Sequence, residues 1–173
     1  MLRRRMLGSL IVAGVSLLTL ASKPFPTRAF GPAWVSIEYP PSPYDETTRG
    51  AYLLVHAYHH GTPADFPVAG TAEGLVSGQR RSVRLEFTRT SRLGTYALRR
   101  QWPSEGVWTL VINVSQGSND LATALVDIAS SGDVSAVRVP TERQGEWTIP
   151  KRVSISEVES ALRARASGSA SGR

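Results

Sequence analysis

The chain contains no cysteine, and its two methionines, Met1 and Met6, both fall in the first six residues. Without a thiol there is no disulfide framework, no thiolate nucleophile, no Cys-based zinc site and no iron–sulfur ligation. Without Met or Cys beyond residue 6, a soft cuprous site lacks its ligands. Lysine is confined to Lys23 and Lys151, and histidine to His56, His59 and His60. No G-x-S-x-G elbow, H-E-x-x-H pair or phosphate-binding loop occurs. These absences leave no motif that commits the chain to a reaction. No enzyme activity and no cofactor is expected.

Excess charge is present, but not where a polyanion would need it. The formal net charge is +6 and the pI about 10.3. Arg3, Arg4, Arg5, Lys23 and Arg28 lie at the start, and Arg163, Arg165 and Arg173 at the end. Between Phe30 and Ser160 there are 12 basic and 14 acidic residues. Phosphate affinity requires a concentrated basic footprint, so nucleic acid is not expected as a partner.

The one long apolar run is Leu7–Ala21, directly after the arginines. A positive start, a short apolar stretch and small residues after it make a secretory signal peptide over residues 1–21. Cleavage fits after Ala21 or as late as Ala29. The run is shorter than the roughly 20 residues that span a bilayer core. Membrane attachment therefore follows only if the segment stays uncleaved as an anchor. Arg3-Arg4-Arg5-Met6-Leu7 also resembles the twin-arginine export pattern. The expected location is periplasmic or secreted.

Residues 30–150 alternate like strands. Val35, Ile37 and Tyr39 face one way in the first, which Pro40, Pro41 and Pro43 terminate because proline cannot donate to a ladder. Ala51–His60 is the second, and Val68–Leu75 a short third. In Gln79–Thr90, Val83, Leu85 and Phe87 oppose Arg84, Glu86 and Thr88, as in an antiparallel sheet with one solvated face. Gly94–Val114 looks like two neighbouring strands joined by the Pro103-Ser104-Gly106 turn. Leu121–Ile128 and Val134–Val139 form a hairpin about Ser130–Asp133, and Glu146–Ile149 adds an edge. Seven or eight short strands without intervening helices predict an antiparallel, immunoglobulin-like β-sandwich. After Pro150, Ser154 and Glu157 have capping-box spacing, and Val158, Ala161 and Leu162 follow at helical intervals. A short helix is expected within 151–165 and a disordered tail over 166–173.

Few residues invite a site. His56, His59 and His60, with Asp65 and Glu73 nearby, are the candidate metal ligands. On a straight strand His56 and His60 stand about 13 Å apart, too far for one ion. More commonly such rings mark a strand end meeting water. Arg80, Arg81, Arg84, Arg99 and Arg100 make a basic patch if their strands are adjacent; a solvated face with cross-strand ion pairs is the plainer reading. Trp108 reads as core and Trp102, beside Pro103, as an exposed ring. Asn113-Val114-Ser115 is a glycosylation sequon only in form, since it lies within a core strand.

Gly94, Tyr96, Leu98, Trp102, Pro103, Gly106, Trp108, Leu110 and Ile112 form a pattern that resembles small bacterial extracytoplasmic Ig-like domains of the YtkA-like and FixH-like group. The resemblance covers roughly residues 34–115 and is most distinctive over 94–114. It implies an Ig-like fold and an extracytoplasmic place. Members linked to metal handling tend to present Met and His, and the Met is missing here. The expectation is a non-catalytic exported module that binds a protein or cell-envelope partner. The alternative is a metal- or small-ligand-binding accessory protein using His56, His59 or His60.

Overall fold

The structure, a computed structural model, describes residues 31–118 and 120–170. The leader expected over residues 1–21, its alternative cleavage point at Ala29 and the last three residues lie outside them. The strands, in chain order, are β1 (Ala33–Glu38), β2 (Leu53–His59), β3 (Thr62–Pro63), β4 (Val68–Val76), β5 (Gln79–Leu85) and β6 (Phe87–Arg89). They continue with β7 (Thr95–Leu98), β8 (Val107–Gln116), β9 (Asp120–Ile128), β10 (Val134–Arg138), β11 (Thr141–Gln144) and β12 (Trp147–Pro150). One helix, α1 (Ile155–Ala170), follows. No helix among the described residues is long and apolar enough to cross a membrane.

The strands make two five-stranded antiparallel sheets and a two-stranded ribbon. Sheet A has the order β1-β2-β7-β6, with β3 beside β2; sheet B has the order β10-β9-β8-β4-β5. The ribbon is β11 with β12. Among the described residues there are twelve strands, against the seven or eight expected, because short pieces join them and one predicted strand is cut.

The cut is at Glu86. Below it the chain pairs with β4 in sheet B, and above it with β7 in sheet A. The Gln101 side-chain amide donates to the Glu86 carbonyl at 2.8 Å and accepts from the Glu86 amide at 2.9 Å. A strand that changes sheets leaves backbone groups without ladder partners, and here one amide satisfies both.

A second correction concerns Gly94–Val114. Its two halves are not hydrogen-bonded neighbours: β7 pairs with β2 and β6, and β8 with β4 and β9. The Pro103 segment crosses from one sheet to the other. Alternation showed which residues face inward, but a connection of this length serves a hairpin or a crossing equally well.

Inward residues of both sheets share one hydrophobic cluster, among them Val35, Leu53, Val55 and Tyr96 from sheet A and Leu110, Ile112 and Val126 from sheet B. Trp108 is 2% exposed within it, as its alternation predicted. Trp108 lies opposite Gly74 across the β4–β8 ladder, and a Cβ on Gly74 would stand 2.5 Å from its ring. Only glycine leaves room for that indole. Its Nε1 donates to the Glu105 carbonyl at 2.6 Å, which satisfies the one polar atom of the ring.

The outer face of sheet B is not left to solvent along β9. Val158 and Leu162 of α1 pack there on Leu125, with Leu75, Val107 and Val111 around them. Leu125 and Asp127, on the side that simple alternation leaves wet, are therefore buried. The capping box forms as predicted. The Glu157 amide donates to Ser154 Oγ at 3.2 Å, and the Ser154 amide donates to Glu157 Oε2 at 2.8 Å. The helix is longer than expected: Ala166–Ala170, read as disordered tail, are helical. Arg165, almost one turn beyond Leu162, is fixed to sheet B, and the helix continues past it to Ala170.

Two outcomes follow. Gly74→Ala forces a methyl group into the Trp108 ring and is expected to cost about 1–3 kcal/mol, seen as a lower denaturant midpoint at unchanged slope. The Lys151 ammonium, then the Ser154 amide and hydroxyl, hold the Glu157 carboxyl down at about 2, from an ordinary value of 4.5. A depressed carboxyl contributes above its ordinary value and loses that contribution as pH falls through the folded one. The cap of α1 is thus expected to be intact above about pH 4.5 and to loosen towards pH 2. Side-chain NMR titration of Glu157 reads this directly, and Lys151→Met should raise its midpoint.

Candidate functional site

The polar and aromatic residues gather at one end of the sheets. Tyr39 follows β1, and the Tyr39–Pro40 peptide bond is cis. Pro40, Pro41 and Pro43 carry the chain away from the ladder, and a 3-10 turn at Glu46–Thr48 brings it back. Asp45 caps that turn, accepting from the Thr47 amide at 3.0 Å and the Thr47 hydroxyl at 2.6 Å. Between this loop and β2 lies a groove of about 460 Å³, lined by Tyr39, the prolines, Tyr52 and Asp133.

Three aromatic rings support its floor. Tyr39 and Tyr52 have centroids 5.4 Å apart, and Tyr52 meets Trp102 edge-on at 5.1 Å. Arg100 lies 5.9 Å from the Trp102 ring centroid. Trp102, expected to be exposed, is only 4% exposed, because the crossing from sheet A to sheet B carries it under Tyr52. The Tyr39 hydroxyl donates to Asp133 Oδ1 at 2.9 Å, and the Tyr52 hydroxyl to the Gly132 carbonyl at 2.7 Å. These bonds tie the groove to the β9–β10 turn. Hydrogen bonds from Ser131 and then Tyr39 hold the Asp133 carboxyl below its ordinary range. Burial above all, reinforced by the charges of Tyr39 and Asp133 and opposed by Arg100, pushes the Tyr52 phenol up to about 12. Beside the groove, Tyr44 is 92% exposed. A tyrosine left in water next to proline faces and buried rings offers a stacking surface.

The histidines do not form one cluster. His56 is held through Nε2 to Glu38 at 3.0 Å and through Nδ1 to Thr95 at 3.2 Å. Glu38, His56 and Thr95 thus tie β1, β2 and β7 together, with Thr95 6% exposed. His59 and His60 touch each other, their centroids 4.4 Å apart, and His59 lies 3.4 Å from the Gln116 amide nitrogen. The chain does turn after Tyr58, since His60 takes a φ of 51°. Asp65 pairs instead with Arg89 and Tyr96, and Glu73 with Arg80 and Ser82. Among the described residues no group of three or more His, Asp or Glu is placed to hold a metal ion.

The basic patch is likewise divided. Arg80, Arg81 and Arg84 lie on β5 of sheet B, whereas Arg99 and Arg100 follow β7 of sheet A. Arg80 is paired with Glu73 at 2.6 Å. The sequon asparagine, Asn113, is in β8 as predicted and accepts from the Thr123 hydroxyl at 2.8 Å. Sequence reasoning took Pro40, Pro41 and Pro43 only as strand terminators. The signal that was there is the density of Tyr and Pro between Tyr39 and Tyr52.

Comparison with protein-family models, with curated proteins and with solved structures returns no match.

The tyrosine geometry gives a measurable signature. A phenol whose folded value is raised contributes stability below its ordinary value of 10 and loses it as pH rises through the folded one. Absorbance at 295 nm is expected to show a last phenolate transition near pH 12, absent in Tyr52→Phe.

Proposed function

We propose that this chain is an exported, non-catalytic binding module with an immunoglobulin-like β-sandwich fold. Its ligand seat is the Tyr39–Tyr52 groove together with Tyr44. The strand order supports the fold: β1-β2-β7-β6 corresponds to A-B-E-D of an immunoglobulin domain, and β9-β8-β4-β5 to G-F-C-C′. The YtkA-like and FixH-like resemblance in residues 94–114 agrees with it, and the arginine-plus-apolar start of the sequence supports export.

One observation carries the functional reading. The end of the sheets presents a proline-lined groove beside a tyrosine that is 92% exposed. Loops held at the end of a rigid sheet pair are a common seat of recognition, and exposed tyrosines supply contact area at low entropic cost. The partner is a protein or another cell-envelope component. The metal reading is the weaker one, because His56 is taken by Glu38 and Thr95.

A photo-cross-linking residue placed at Tyr44 in exporting cells is expected to give a discrete adduct that the same residue at Thr62, on the opposite end, does not. Tyr44→Ala should weaken the isolated partner's binding tenfold or more, about 1.4 kcal/mol. Equal adducts at both positions, or none at Tyr44, would sink the proposal.

A further inference from the structure

The outer face of sheet B contains a built guanidinium seat. Arg165 Nη1 donates to the Trp108 carbonyl at 2.9 Å and to the Thr109 hydroxyl at 2.8 Å, and lies 3.2 Å from Asp127 Oδ1. Nη2 donates to the Ile128 carbonyl at 2.6 Å. The seat itself is preformed by β8 and β9. Thr109 donates to Asp127 Oδ1 at 2.7 Å, and Arg138 holds the other carboxylate oxygen at 2.8 Å. Asp127 is 5% exposed, so its charge depends on these partners. Burial pushes the Arg165 guanidinium below its ordinary value, with Asp127 opposing.

The helix that fills the seat depends on its docking. Among its described side chains Val158 and Leu162 are the buried ones, and a single helix of this length is marginal in water without docking. It is reached through the extended segment Lys151–Ser154 from the β11–β12 ribbon, whose strands pair with each other alone. The ribbon is exposed along all of Thr141–Gln144. Among the described residues five large apolar side chains are exposed, and two of them belong to this arm: Trp147 at 76% and Ile155 at 75%. A third, Val137 at 42%, lies on β10 just before it.

We propose that the outer face of sheet B is a receptor for a helix bearing two aliphatic residues one turn apart and an arginine three residues on, and that its second occupant is α1 of another copy. The arm Thr141–Ala170 exchanges between two chains, each α1 seating its Arg165 on the other's Asp127. Every docking contact is retained in such an exchange, which makes it a low-cost route to a dimer. A short tether gives the internal helix an effective concentration of about millimolar. Exchange at lower protein concentration therefore requires new contacts at the crossing arms, and the exposed Trp147 and Ile155 are placed to supply them. The inference is independent of the Tyr39–Tyr52 groove.

The test uses the chain as exported, with light scattering after size separation and native mass spectrometry over a concentration series. The wild-type chain is expected to dimerise with concentration, and Trp147→Ala to reduce the dimer at least tenfold without altering the monomer's fold. Asp127→Ala damages the face and Arg165→Ala the helix, so each alone is expected to be monomeric. Their mixture restores one intact seat per pair, and heterodimers are expected. If Asp127→Ala does not fold, Leu125→Ala takes its place as the damaged face. A wild-type chain that stays monomeric up to about millimolar overturns the proposal. So do single variants that dimerise as well as wild type, or a mixture that yields no heterodimer.

Discussion

The indole of Trp108 fills the space opposite Gly74 while its Nε1 anchors the turn through the Glu105 carbonyl and its own backbone carbonyl receives Arg165. Core, turn and helix meet at this one residue. The ring's position fixes the register of β8 between β4 and β9, since a shift by one residue would turn every inward side chain outward. Glycine at position 74 is therefore a steric requirement of the core and not a feature of a turn.

From that register the outer face of sheet B takes its character. Thr109 and Asp127 lie opposite each other on β8 and β9 and point away from the core. An aspartate there would ordinarily be solvated. The helix brings Arg165, and β10 brings Arg138, so that the carboxylate is buried with both oxygens occupied. Such a group adds little net stability over an apolar replacement, but losing one partner leaves a charge stranded. Its effect is to specify where α1 sits, which Val158 and Leu162 alone would define loosely.

Function is best sought at surfaces that the packing leaves unused. The histidines are poor candidates in this light: His56 is part of a cross-strand tie, and His59 and His60 lean on each other and on Phe66 and Gln116. Tyr44 and Trp147 have no such employment. They mark the two regions, the proline groove and the C-terminal arm, at which binding is proposed.

Much of the fold was legible because alternation reports burial on one face directly. β1, β2, β8 and β9, the capping box at Ser154 and the core place of Trp108 all follow from local pattern. Less was legible where a local pattern serves two topologies. The Trp102–Pro103 connection joins neighbouring strands in one reading and crosses between sheets in the other, and only the β7 and β8 pairings decide it. The break at Glu86 depends on Gln101, fifteen residues away. The candidate site was barely legible. Tyr39, Tyr52 and Asp133 come from three segments up to 94 residues apart, and no spacing rule links them. By itself the sequence determined the strand periodicity, the thiol-free chemistry, the neutral-to-acidic body and the helix start, all of which depend on neighbours in the chain. The partnering of sheets, the burial of Asp127 and the seating of Arg165 were decided by tertiary structure, because each depends on groups supplied by distant segments of the chain.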